Sequence, residues 1–358
     1  MDELLTQWQR PIQAFICEKC DWVYLAETSN TAVACPHCYQ AKLTVLEADD
    51  IPKVYPPELV AEFILPVENV RKQLDQFAAS ITLAPTDLKT DNLMTRLRQM
   101  YVPIWLVDSS VRSIWQAEMG YNYKVVSHQE QYTGNQWQTF EQTETKVRWE
   151  QRLGKLNRRY HNITAPALEE HTILAKKMGS FDLKGDAVKK YQPQYIEKIL
   201  VRVPNRDTVD AWSDAQPRFQ ENAIQECQKA GAGDHIRQFQ WSPDFTDQNW
   251  TQLLLPLYST CYYDDDHVAR PILLNGRTGQ IDGIKRASMR RAKKITRNLA
   301  LLAGLFFIIA LALFFYRPGF AILLGMLTIA LGIGAITPIA IVSQFNRRQK
   351  NDIPFDPR

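Results

Sequence analysis

Two long apolar stretches toward the C-terminal end dominate the pattern of hydrophobic and polar positions. Residues 298–316 carry no charge, Arg317-Pro318-Gly319 interrupts them, and residues 320–345 again carry none. A bilayer-crossing helix needs about 20 apolar residues, so each run is long enough to span. Pro-Gly is turn chemistry, and the sequence therefore predicts a transmembrane helical hairpin over 298–345. Pro338 is tolerated in such a helix and can kink it. A buried hairpin of a soluble protein is the alternative, disfavoured because core helices rarely carry apolar runs of this length.

Upstream the apolar positions recur at shorter periods and predict a mixed α+β body. Leu4, Leu5, Trp8 and Ile12 have helical spacing, though Pro11 intervenes, and predict a short packing arm over 1–14. Residues 59–65 read as a strand, and 67–79 as a helix with Val70, Leu74 and Phe77 on one face. Tyr101–Val107 reads as a buried strand. Tyr121, Tyr123 and Val125 alternate with Asn122 and Lys124 as a half-exposed one. Gly134-Asn135 predicts a turn before a strand over 137–149, and Gly154 a second hairpin. A helix is expected from Pro166 to Met178, stopped by Gly179, with His171 as a packing residue. Lys198–Val203 reads as a strand, and Pro217–Ala230 as a helix ended by Gly231. The apolar stripe of that helix is Phe219, Ala223, Ile224, Cys227 and Ala230. A strand beginning near Leu253 and a hairpin over 272–284, around Asn275-Gly276 to Gly279, complete the body. Val102-Pro-Ile-Trp and Leu255-Pro-Leu-Tyr faintly echo one another, as the starts of two related sub-domains would.

Cysteine spacing adds the sharpest chemical signal. Cys17-Glu-Lys-Cys20 is followed by Cys35-Pro-His-Cys38, and two C-x-x-C knuckles at this spacing predict a four-cysteine zinc ribbon. Each knuckle aims two thiolates at one point, and zinc accepts soft ligands tetrahedrally. Four sulfurs fill the tetrahedron, so the expected single Zn2+ is structural. Val23, Tyr24 and Leu25 suit a strand, Ser29-Asn30 a turn, and Trp22 and Tyr24 the small core of the ribbon. His37 is expected to face solvent rather than act as a fifth ligand. The organisation this implies is a ribbon with its arm (1–48), an acidic Pro-rich linker (49–58) and the α+β body (59–284). A basic collar (285–297), the hairpin (298–345) and a tail (346–358) follow.

Charge then separates the body from its tail. The chain is +3 overall, but residues 285–350 hold eleven Lys and Arg and no acid, leaving residues 1–284 at −7. Seven of those basic residues precede the first apolar run and three follow the second. By the positive-inside rule both termini are cytoplasmic and the turn is outside. Met1-Asp2-Glu3 predicts no signal peptide. The expected location is the inner cell membrane, crossed twice, with anionic membrane lipids attracted by the collar. A body at −7, with only Lys19 and Lys42 against Glu18, Asp21, Glu27 and Glu47 in the ribbon, argues against nucleic acid as partner.

Catalytic chemistry is not legible. Asp264-Asp265-Asp266-His267 resembles a helicase acidic box only superficially, because no G-x-x-x-x-G-K-[ST] loop accompanies it; an acidic turn is the simpler reading. Cys261 near His267 lacks a third orienting group. No catalytic and no cofactor-binding residue is assigned beyond the metal ligands Cys17, Cys20, Cys35 and Cys38, and the chain is expected not to be an enzyme.

The cysteine quartet, Val102-Pro-Ile-Trp-Leu-Val-Asp108, Leu254-Leu-Pro-Leu-Tyr258 and Asn275-Gly-Arg-Thr-Gly279 with Asp282-Gly283 carry a resemblance. The chain resembles bacterial membrane-anchored zinc-ribbon proteins often labelled primosomal helicase-like, without the helicase motor motifs. The resemblance implies an adaptor role at the inner membrane, in envelope stress. The expected function is a membrane-tethered protein-interaction scaffold with a cytoplasmic or membrane protein partner. The alternative is a membrane-associated nucleic-acid-binding zinc-ribbon factor.

Overall fold

In the computed structural model, which describes residues 6–28, 34–47 and 54–351, strands and helices alternate irregularly. The chain begins with strands β1 (Ile12–Cys17), β2 (Val23–Glu27), β3 (Leu43–Val45) and β4 (Leu59–Ala61). Helices α1 (Val67–Ala79) and α2 (Thr90–Thr95) follow, then the long strands β5 (Arg98–Tyr132) and β6 (Trp137–Pro166). Helix α3 (His171–Met178), the short strands β7 (Val188–Lys190) and β8 (Leu200–Arg202) and helix α4 (Thr208–Ala230) come next. Strands β9 (His235–Tyr263), β10 (Ala269–Asn275) and β11 (Ile281–Gly283) lead to the apolar helices α5 (Met289–Leu313) and α6 (Pro318–Asn351). Two compact units divide these elements: Met1–Pro103, Glu170–Pro204 and Leu253–Arg358 form the first, Ile104–Glu169 and Asn205–Gln252 the second.

In the first unit β1 lies antiparallel between β2 and β3. Strand β2 continues outward onto β8, and β8 runs parallel to the start of β5. The end of β9, β10 and β11 form an antiparallel meander. Helix α1 buries Val70, Leu74 and Phe77 as its 3.6-residue period requires, against Tyr258, Tyr262, Ile272 and Leu274. A second cluster gathers Trp8, Ile12, Leu25, Val60, Tyr101 and Val201. Trp8 is fully buried and donates its indole N–H to the Val54 carbonyl. Of the expected arm, Leu4 and Leu5 lie outside the described residues; Trp8 packs as expected, but Ile12 opens a strand instead of ending a helix, because Pro11 leaves the chain free to pair with β2. Of the expected linker, residues 49–53 lie outside the described residues, as does the Ser29-Asn30 turn. The expected strand over 59–65 shortens to β4.

The Asn275-Gly276 turn is a packing hub. Asn275 is fully buried; its amide donates to the Met178 and Ser180 carbonyls, and its oxygen accepts from the N–H groups of Arg277 and Thr278. Arg277 in turn donates to carbonyls of Phe181, Glu62 and Ala187. A Cβ on Gly276 would stand 2.7 Å from the Phe63 ring, which is why glycine follows the asparagine.

The apolar helices differ from expectation in three ways. The turn falls at residues 314–317, and Pro318 occupies the first position of α6, where its missing N–H costs nothing. Helix α6 runs unbroken through Pro338. The carbonyl that Pro338 cannot serve, that of Gly334, accepts the Thr337 hydroxyl at 2.7 Å, and the Thr296 hydroxyl of α5 reaches the Ala335 carbonyl at 2.6 Å. Finally, Val342 is fully buried in the core of this unit, with Ile339 and Phe345 packed against it. The end of the second apolar run thus belongs to the body. Both helices are long and apolar enough to cross a membrane, and they are largely exposed. The buried residues along the apolar stretches are small: Ala303 and Ala310 on α5, and Ala321 and Ala335 on α6. The spacings of seven and fourteen residues are those of packed helices whose small side chains permit close approach.

The second unit is a long antiparallel ribbon of β5 and β6, in register from Ile104↔Pro166 to Tyr132↔Trp137. Gly154 lies within β6 opposite Trp115, and a Cβ there would stand 3.0 Å from the indole. No hairpin forms there, because the glycine makes room for the tryptophan rather than for a turn. Pro166 ends the ribbon, so the expected helix starts only at His171, which is half-buried. A bulge interrupts the ladder at Asp108, opposite His161 and Asn162. The Asp108 carboxylate closes it, accepting the Asn162 N–H at 2.8 Å and meeting His161 Nδ1 at 3.0 Å. Helix α4 packs Ala211, Ala215, Phe219 and Ala223 on the base of the ribbon among Trp212, Trp241, Phe245 and Trp250. It begins nine residues before Pro217, capped by the Asp207 side chain on the Asp210 N–H. Cys227 is buried as expected, whereas Ala230 is exposed. Beyond the base, every residue from 126 to 146 is exposed.

Candidate metal centre

Local backbone geometry brings the four predicted cysteines together. Cys17 ends β1, and the chain reverses through a turn in which the Asp21 N–H bonds the Cys17 carbonyl at 2.8 Å. The second knuckle repeats this, with the Tyr39 N–H on the Cys35 carbonyl at 2.9 Å. Asp21 and Tyr39 both adopt the left-handed conformation, at φ 55° and 54°, so the two knuckles are copies of one turn. The thiol sulfurs of Cys17, Cys20, Cys35 and Cys38 all lie within 4.8 Å of one another.

Two sulfur pairs are closest: Cys17 to Cys38 at 3.6 Å and Cys20 to Cys35 at 3.7 Å. A disulfide would need about 2.05 Å, so these are free thiols. A tetrahedral ion with metal–sulfur bonds of about 2.3 Å sets its sulfurs about 3.8 Å apart, close to both separations. The quartet fits a tetrahedral metal with no position left open. With protons in place of a metal the sulfurs compete: hydrogen bonds from Cys20 and Cys35 push the Cys38 thiol down, while those with Cys35 and Cys38 push Cys20 up. The Gln40 N–H at 3.5 Å from Cys38 Sγ also favours charge on that sulfur.

Neighbouring side chains fasten the cluster to the first unit. Tyr39 OH lies 2.9 Å from the buried Ser259 hydroxyl on β9, and Ser259 donates to the Pro36 carbonyl. Tyr24 is fully buried, with its hydroxyl 3.9 Å from Cys35 Sγ. Trp22 is buried too, as predicted for the ribbon core. His37 corrects the sequence reading: it is half-buried, stacked on Trp22 with centroids 3.6 Å apart. Burial lowers its pKa to about 4, and it therefore stays neutral near pH 7.

One residue of this site escaped the sequence reading. Arg202 is 3% exposed. Its backbone pairs with Tyr24, its guanidinium lies 4.4 Å from the Trp22 ring centroid, and Nη1 donates to the Val23 carbonyl at 3.0 Å. The signal available was a single charge among Leu200, Val201 and Val203, in a strand otherwise apolar.

Elsewhere the buried thiols Cys227 and Cys261 are pushed up to about 11 by desolvation, which makes them inert packing groups. Asp264 binds the N–H groups of Asp266 and Val268 and the Arg270 guanidinium. The acidic stretch is thus a turn between β9 and β10. No family model matches the chain, and neither a curated protein nor a solved structure matches it.

Proposed function

We propose that the chain is a membrane-tethered zinc-ribbon scaffold, holding one structural Zn2+ on Cys17, Cys20, Cys35 and Cys38 and recruiting a protein partner at the cytoplasmic face of the inner membrane. The sulfur separations of 3.6 and 3.7 Å support the ion. All-sulfur ligation favours zinc among the common divalent ions and leaves no coordination position for substrate. The two exposed apolar helices and the basic residues at both of their body-side ends support the tether. Envelope stress is the process that the family resemblance implies.

One observation carries the scaffold role: the bare end of the β5–β6 ribbon. Tyr132 and Trp137, the last cross-strand pair, are 56% and 68% exposed, and Phe140 is 49% exposed. Aromatic residues are enriched where proteins bind proteins, and Lys124, Lys146 and Arg148 on this end are offset by Glu130, Glu141 and Glu144. A charge-balanced tip lacks the electrostatic footprint of a nucleic-acid binder. A photo-crosslinking amino acid at Trp137, activated in intact cells, should join the chain to a protein; crosslinks to DNA or RNA instead would overturn the reading in favour of the nucleic-acid factor. A thiol probe at Gly319 should react from outside the membrane and one at the exposed Lys294 only after permeabilisation, and the reverse pattern would invert the tether.

A further inference from the structure

We infer that Arg202 is a positioning residue of the metal centre, a buried cation that offsets the negative charge of the four thiolates and ties the ion to strand β8. The inference rests on the metal reading above. A divalent ion on four thiolates carries a formal charge of about −2, and burying that charge is costly unless an opposite charge is near. Arg202 supplies it. The residue is nearly without solvent contact, and a guanidinium stays protonated under all relevant conditions.

The need runs in both directions. A buried guanidinium also requires compensation, and the neutral partners Val23 carbonyl and Trp22 ring supply only part of it. Its Nε has no hydrogen-bond partner among the described residues. Tyr24, Glu170, Cys20 and Cys35 are the acidic groups within electrostatic range. Glu170 accepts the Trp22 indole N–H at 3.1 Å on one oxygen rather than binding Arg202. The second Glu170 oxygen is itself buried without a hydrogen-bond partner among the described residues, so Glu170 shares with the sulfurs of Cys20 and Cys35 the negative charge that completes the environment of Arg202. Position follows from the sheet: the register Tyr24↔Arg202 and Leu25↔Val201 places the guanidinium beside the strand that connects the knuckles. Arginine rather than lysine suits the place, because a planar guanidinium can stack on Trp22 while donating from its edge.

The test uses the full-length chain in detergent, with Zn2+ and Co2+ as the probes. Metal affinity is measured by chelator competition, and the sulfur-to-cobalt charge-transfer band reports the charge felt by the thiolates. Arg202→Gln keeps a donor for the Val23 carbonyl and removes the charge. It should weaken metal binding about 10–100-fold, the usual effect of losing an outer-shell partner, and shift the cobalt band. Arg202→Lys should recover most of the affinity, a rescue that a purely steric role would not give. Neutralising the exposed Arg71 should leave both readouts unchanged. Should Arg202→Gln fail to fold, the Arg202→Lys chain decides the matter through the same two readouts: a loss as large as that of removing a cysteine would overturn the charge role. Wild-type affinity in Arg202→Gln overturns the assignment and leaves the metal reading intact. A wild-type chain that binds neither ion overturns both.

Discussion

The Ser288 hydroxyl donates to the Asp265 carboxylate at 2.7 Å, and the other oxygen of Asp265 accepts the Arg290 N–H at 2.8 Å. Ser288 itself accepts the Arg291 N–H, so both residues cap helix α5. Capping by a carboxylate matters here because Arg290 and Arg291 place positive charge at the helix N-terminus, where the dipole disfavours it. Asp265→Ala should cost about 1–2 kcal/mol of stability, read from thermal unfolding of the purified chain. ATP hydrolysis should be at background in both proteins; turnover that vanishes with this substitution would restore a catalytic role to the acidic turn.

Removing a ligand tests the metal directly. The wild-type chain should carry one zinc, and Cys17→Ser or Cys38→Ser should lose it, as counted by elemental analysis. Because β2 pairs with β8, the damage should spread beyond the knuckles. Chelation should lower the melting temperature of the first unit as well as exposing the thiols.

Asp87 sets an acid limit. It receives both Arg96 Nη groups, the Tyr263 N–H and the Asn92 amide. The Arg96 hydrogen bonds are the largest cause of a pKa below the ordinary 3.8, outweighing the opposing effect of burial. A depressed folded-state pKa contributes stability above the unfolded value, and that contribution disappears as pH falls through the folded one. Asp87→Asn should cost about 1–3 kcal/mol at neutral pH. The two stability curves should converge below 3.8 in an acid titration, and a constant gap down to pH 2 would contradict this account.

Val342 separates body from span. Its side chain is fully buried beside Ala292 and Leu274 in one core, whereas Ile341 is 50% exposed. Val342→Ala should destabilise the first unit by about 1–3 kcal/mol, and Ile341→Ala should leave it within about 0.5 kcal/mol. Equal effects in a thermal-shift comparison would mean that α6 does not pack on the body.

What was legible in the sequence follows from where each signal lives. Helix α1 was read to the residue because Val70, Leu74 and Phe77 face one core and polar residues face water. The quartet was legible because a metal site of paired knuckles is written locally, two ligands per turn. The start of α4 was missed because proline usually opens a helix. Here Pro217 lies on the exposed face, where water can satisfy the carbonyl it strands. The β5–β6 ribbon defeated the period-2 signal for a different reason: exposed on both faces toward its tip, it has no reason to alternate. Gly154, read as a turn, answers to Trp115 across the ladder. Arg202 was out of reach because its partners lie some 180 positions away, and only the folded sheet brings Tyr24 opposite it.

The packing of Ile339, Val342 and Phe345 on the body shortens the second apolar run to about the length of the first. At about 1.5 Å per residue, 19 residues rise about 28 Å, close to the hydrocarbon thickness of a bilayer. In the proposed membrane setting no slack remains between lipid and protein: Asn346 is clasped to Ala287 through both its amide nitrogen and its oxygen. In that setting the clasp would hold the first unit close against the headgroups, with its height above them set by the ends of the two helices.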